Sequence, residues 1–115
     1  MDQYTVFVTD QAQEQMSSTR LYYKYKLHAP DAATDFIDRM EEVFADLETY
    51  PNRGRLVDEE PWHSQNIHIR PVKNHLVYYW INEEEKSVWI VAVIDERMDQ
   101  QKQLRKMLNS KNLQE

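Results

Sequence analysis

Hydrophobic and polar positions along the chain change rhythm from segment to segment, and the most informative rhythm lies between residues 67 and 97. Ile67-His68-Ile69-Arg70 alternates apolar with polar at period two, which predicts a half-buried strand that turns His68 and Arg70 to the opposite face. Leu76-Val77-Tyr78-Tyr79-Trp80-Ile81 and Val88-Trp89-Ile90-Val91-Ala92-Val93-Ile94 do not alternate. They are apolar on both faces and rich in β-branched and aromatic residues, as central strands covered twice would be. Pro71-Val72-Lys73-Asn74 and Asn82-Glu83-Glu84-Glu85-Lys86 are short enough for hairpin connections, so the three strands are expected to form an antiparallel meander. Near the start, Tyr4-Thr5-Val6-Phe7-Val8-Thr9 is a further β-prone run, with Thr9 or Asp10 placed to cap a following helix.

Between these strand signals the period lengthens. From Ala12 a row of Met16, Thr19, Tyr23 and Leu27, with Tyr22 beside it, recurs at helical spacing, and core packing is the expected use of its tyrosines. Pro30 interrupts that row and Asp31 suits a new helix start. Ala33, Phe36, Ile37, Met40, Val43, Phe44 and Leu47 then form one continuous apolar stripe, while Asp35, Asp38, Glu41, Glu42, Asp46 and Glu48 predict a solvated opposite face. Tyr50-Pro51-Asn52-Arg53-Gly54 ends the helix. Two helices so closely joined predict an antiparallel hairpin covering one sheet face. Residues 54–65 lack periodicity and are expected to be a loop, with Trp62 pinned at the core edge. Met98, Leu104, Met107 and Leu108 mark a short C-terminal helix, so residues 1–108 are expected to form one domain and 109–115 a tail. The expected class is α+β: an N-terminal strand, then an antiparallel helical hairpin packed on a mostly antiparallel sheet, and a short C-terminal helix.

Composition narrows the setting. The chain has 115 residues and no cysteine, which removes disulfides and thiolate metal sites. Met1-Asp2-Gln3 does not open a secretory leader, no apolar run approaches the roughly 18 to 20 residues of a membrane span, and no lipidation motif ends the chain. A soluble cytoplasmic protein is expected. The net charge of −6 argues against broad nucleic-acid binding. The excess is uneven: residues 1–50 hold ten acids against four bases, whereas residues 51–115 hold ten of each, leaving room for a local basic site.

No Gly-rich phosphate loop or His-Glu-x-x-His motif is present, and a single glycine excludes most nucleotide-binding turns. No cofactor or metal is expected, since His63, His68 and His75 match no ligand spacing and His28 sits at a helix end. Arg53, Arg55, Arg70, Lys73, His75 and Arg97 remain as candidate chemistry. Arginine and lysine can hold a phosphate and stabilise developing charge, and histidine can move protons near neutral pH. Salt bridging to Asp95, Glu96 and the acidic loop is the alternative use of the same cations.

The order of strand, helical hairpin, loop and meander resembles the RelE/ParE toxin superfamily of type II toxin-antitoxin modules. The resemblance is carried by Val8-Thr9-Asp10-Gln11-Ala12 with Met16 and Tyr22, by Ala33, Phe36, Ile37 and Leu47, and by Pro51 and Gly54. Ile69-Arg70, Tyr78-Tyr79-Trp80 and Val93-Ile94-Asp95-Glu96-Arg97-Met98-Asp99 complete it, so that the marks spread over residues 4–104. It implies a growth-inhibiting toxin neutralised by a cognate antitoxin wrapped around it. In the ribosome-dependent mRNA endonuclease branch, Arg70 and Arg97 match the positions of active-site arginines, and Lys73 and His75 join them as catalytic candidates. Arg53 and Arg55 are candidates for contacting RNA or a partner. The chain departs from that branch because no tyrosine or histidine follows Arg97. The ParE-like branch, which acts on DNA gyrase, tolerates that absence. Ribosome-bound mRNA, DNA gyrase and a non-toxic binding role thus stay open, as does a homodimer contact over uncovered apolar surface.

Overall fold

The computed structural model describes residues 3–110, with side chains as far as residue 106. In chain order the elements are β1 (Thr5–Val8), α1 (Asp10–Leu21), α2 (Pro30–Leu47), β2 (Arg55–Leu56), β3 (Ile67–Val72), β4 (His75–Asn82), β5 (Ser87–Asp95) and α3 (Gln100–Ser110). The strands form one sheet in the order β1-β5-β4-β3-β2. The meander β3-β4-β5 is antiparallel as expected, and β1 joins the edge of β5 in parallel. The expected α+β class is what the chain adopts. Residues 54–65 are more than a loop, because Arg55 and Leu56 pair antiparallel with Ile69 and His68.

Thr9 caps α1: it stays extended and its hydroxyl accepts from the Ala12 amide at 3.2 Å. The helix then widens into a π-helical turn over Tyr22–Lys26, where the Leu27 amide donates to the Tyr22 carbonyl, five residues back, at 3.0 Å. That extra residue in the turn breaks the expected row. Met16 and Tyr23 still pack on the core, but Tyr22 and Leu27 stand half exposed, contrary to the expectation of burial.

Helix α2 carries the hairpin. Pro30 occupies its first turn, and Ala33, Phe36, Met40, Val43 and Leu47 are buried against the sheet, whereas α1 buries only Ala12. Burying one large apolar side chain stabilises by roughly 1.5–3 kcal/mol, against about 1 kcal/mol for a helix cap, so packing of α2 outweighs any capping in docking the hairpin. On the other sheet face Val57, Trp62, Ile67, Ile69, Tyr78 and Leu104 form a second core. Trp62, expected at the core edge, is fully buried, and its indole N–H donates to Gln101 Oε1 at 3.0 Å. The sheet is therefore covered on one side by the helical hairpin and on the other by residues 57–66 with α3. The side chains of Met107 and Leu108, and the tail residues 111–115, lie outside the described residues.

One irregularity sets the chemistry that follows. Across β4 and β5, Tyr78 faces Ala92 but Tyr79 faces Ile90, so Val91 is an extra residue in β5. Val88, Ile90 and Val93 all pack on the hairpin side, while Val91, Ala92 and Ile94 pack on the other. Strict alternation from Val88 and Ile90 would put Ile94 on the hairpin side. The bulge puts Val93 there instead, and the alternation that follows carries Asp95 with it.

Candidate functional site

The six candidate side chains fall into separate places. At the C-terminal end of α2, Arg70 reaches across from β3 and its Nη1 donates to Asp46 Oδ2 at 2.6 Å, with Arg53 Nη1 3.7 Å from the same oxygen. Arg53 also lies over the Tyr50 ring, 4.6 Å from its centroid. Arg70 does leave the face of Ile67 and Ile69, as its alternation predicts, but that opposite face is covered by α2, so its side chain is only 22 % exposed. Asp46, expected on a solvated helix face, flanks the buried stripe and becomes the anchor of both arginines. The cue was its place beside Leu47 and three residues after Val43, which puts it at the margin of the apolar stripe.

The same end of the molecule is tied to the backbone. The Tyr79 hydroxyl donates to the Pro51 carbonyl at 2.7 Å and accepts from the Gly54 amide at 3.0 Å. Burial pushes the Tyr79 hydroxyl above its ordinary pKa, which keeps it able to donate. His68 stacks on the Tyr79 ring, and burial pushes its pKa down. Gly54 is required for space: a Cβ there would lie 2.4 Å from the Tyr79 oxygen and 2.7 Å from the Ile69 carbonyl oxygen.

Arg97 sits elsewhere. It donates from Nε and Nη2 to the two carboxylate oxygens of Asp95 at 3.0 and 2.8 Å, and its amide donates to Asp95 Oδ1 at 2.8 Å. The Arg97 side chain remains 79 % exposed. Hydrogen bonding from Arg97 lowers the Asp95 carboxyl to about 2. Next to this pair, across the ladder from Asp95, is His75, which is buried with its ring 4.7 Å from Phe36 and edge-on to Tyr23. Desolvation pushes the His75 pKa down and the Tyr23 pKa up, so both are held neutral. A groove of about 610 Å³ opens here, lined by Ser18, Tyr22, Tyr23, His75, Arg97 and Met98 among others.

Arg70 and Arg97, which the resemblance matches to arginines of one active site, therefore have different partners. Arg70 pairs with Val77 and Val77 with Val93, which places Arg97 two strands away and further along the sheet. Two strand spacings are roughly 10 Å before any displacement along the strands. Lys73, at the β3-β4 turn with φ of 55°, approaches Asp35 at 3.5 Å. Arg55 on β2 stands apart, 3.9 Å from Asp58 and well exposed. What the sheet does bring together is Arg53 with Arg70, and His75 with Arg97. Among the described residues no group of three or more His, Asp or Glu side chains is placed to hold a metal ion.

The family profile described as ParE toxin of type II toxin-antitoxin system, parDE, matches residues 6–100. Among solved structures, the chromosomal ParDE toxin-antitoxin system from P. aeruginosa contains a chain similar to this one at TM-score 0.65 and 13% identity, covering 81% of this chain and 96% of that one. The toxin-antitoxin complex RelBE2 from Mycobacterium tuberculosis contains another, at TM-score 0.62 and 22% identity, covering 83% and 93%. At those identities the likeness to the two structures concerns the fold. No curated protein matches the chain.

Proposed function

Given that the chain belongs to the ParE toxin family of type II toxin-antitoxin systems, we propose that it arrests growth by acting on DNA gyrase in the cytoplasm and that a cognate antitoxin neutralises it. The observation that carries the choice of gyrase over mRNA is the state of the cations. Arg70 is bound to Asp46, Lys73 approaches Asp35, and Arg97 is doubly bonded to Asp95. A ribonuclease needs cations free to take a scissile phosphate and an accessible group to move the proton, yet His75 is buried and its pKa is lowered. A target that is itself a protein surface makes neither demand, because the exposed Arg97-Asp95 ion pair beside a groove can be contacted as a pair.

The antitoxin has apolar surface to cover. Phe7 on the edge strand β1 is 42 % exposed and stacks on Trp89 at 4.5 Å between ring centroids. No helix among the described residues is long and apolar enough to cross a membrane.

Inducing the chain without its antitoxin, and assaying purified protein against gyrase supercoiling and against mRNA on translating ribosomes, separates the readings. Growth arrest with lost supercoiling and uncut transcripts is expected. Ribosome-dependent cleavage with unaffected gyrase would overturn the gyrase reading in favour of Arg70, Lys73, His75 and Arg97 as a nuclease set. Normal growth with neither lesion would favour a non-toxic binding module.

A further inference from the structure

The second half of α1 and its connection to α2 differ in charge from the rest of the first fifty residues. Residues 15–30 contain Arg20, Lys24 and Lys26 and no acid, although the first fifty residues hold ten acids and only four bases. The same short segment exposes Leu21, Tyr22, Tyr25 and Leu27, four of the seven large hydrophobic side chains exposed among the described residues. The π-helical turn is the cause, since its wider backbone turns Tyr22 and Tyr25 outward together with Lys24 and Lys26. Tyr25 is 62 % exposed with Lys24 Nζ 5.2 Å from its ring centroid, and Tyr22 is half exposed at the rim of the groove that also holds Arg97.

We propose that this tip is a contact site for single-stranded nucleic acid, with Arg20, Lys24 and Lys26 along the phosphates and Tyr22 and Tyr25 offering faces to unstacked bases. The observations fit that chemistry. Interleaved cations and exposed rings are what a strand with negative backbone and flat bases requires, and stacking tolerates any sequence. Charge complementarity selects an anionic ligand, and the groove beside Tyr22, at about 610 Å³, is of a size that can take a base. Duplex DNA, whose bases are stacked away, would use the cations without the tyrosines. The proposal shares the groove beside Arg97 with the gyrase reading but rests on Arg20, Lys24, Lys26, Tyr22 and Tyr25, and oligonucleotide binding is read without gyrase, so either can fail alone.

Fluorescence anisotropy of the full chain with labelled twelve-nucleotide oligo(dT) and oligo(U) tests it. With three phosphate contacts, single-strand binding should weaken about 20-fold between 50 and 200 mM salt. The double variant Lys24→Glu, Lys26→Glu should lose at least about tenfold in affinity, and Tyr22→Ala with Tyr25→Ala should lose a similar factor without changing the salt slope. The pair Lys102→Glu, Arg105→Glu on exposed positions of α3 makes the same change in net charge and should bind as the parent does. Circular dichroism checks that each variant is folded. Binding of either oligonucleotide or of both supports the site, since the two differ only in the 2′-hydroxyl and the thymine methyl group. Absence of binding by the parent at 50 mM salt, equal losses from the α3 control, or tighter binding of an alternating Glu-Leu twelve-residue peptide than of both oligonucleotides would overturn it.

Discussion

Two of the arginine-aspartate pairs have nearly equal shortest contacts, 2.6 Å for Arg70 with Asp46 and 2.8 Å for Arg97 with Asp95, yet they join very different things. Asp46 and Arg70 are 24 positions apart, and their bond ties the end of α2 to β3 beside the Tyr79, Pro51 and Gly54 contacts. Asp95 and Arg97 are two positions apart and close a turn at the mouth of a groove. Distance alone does not distinguish a tertiary clamp from a local pair; burial and chain separation do. The first pair is about one-fifth to one-quarter exposed on both sides, and the second has a guanidinium standing in solvent.

The comparison breaks most visibly at Gly54. Alanine there should destabilise the chain by about 3 kcal/mol, because the added carbon meets the Ile69 backbone, which cannot swing away as a side chain could. Urea unfolding reads it, and an unchanged midpoint would mean that the clamp end is not rigid. Arg70→Ala should cost less, about 1–2 kcal/mol, since it leaves a partly buried Asp46 with only the longer contact to Arg53. An equal loss from Asp46→Ala, with no further loss in the double variant, would confirm that the two side chains act as one unit.

Arg97→Ala should move the unfolding midpoint least of the three. Its effect should appear in the titration of Asp95, whose carboxyl should rise from about 2 towards the ordinary carboxylate range when followed by NMR. The sign follows from linkage. The folded-state pKa of Asp95 lies below its unfolded value of 3.8, so its contribution is present above that pH and fades as pH falls towards 2. The variant should lose that part of the acid dependence. Unfolding curves for both proteins between pH 5 and pH 2 that remain parallel would show that Asp95 is held by something other than Arg97.

Local patterning was enough for the elements with a clean period. The α2 stripe, the capping role of Thr9, the half-buried alternation of β3 and the two-sided β4 and β5 all appear where the spacing puts them, because each depends on neighbours within a turn or along one strand. The resemblance to RelE/ParE toxins, resting on marks spread over that same order of elements, agrees with the family match over residues 6–100. Only the tertiary structure decided that β1 lies parallel to β5, that Arg55 and Leu56 extend the sheet, and that Asp46 rather than a loop acid receives Arg70. It also decided the fate of Asp95 and of the first helix's aromatic row. One extra residue at Val91 reverses which side chains face the hairpin, and one wide turn at Tyr22–Lys26 sends Tyr22 and Leu27 to solvent. A bulge or a π-helical turn shifts the phase of a pattern by a single residue, and whether it forms depends on packing against segments far away in the chain, which no local period records.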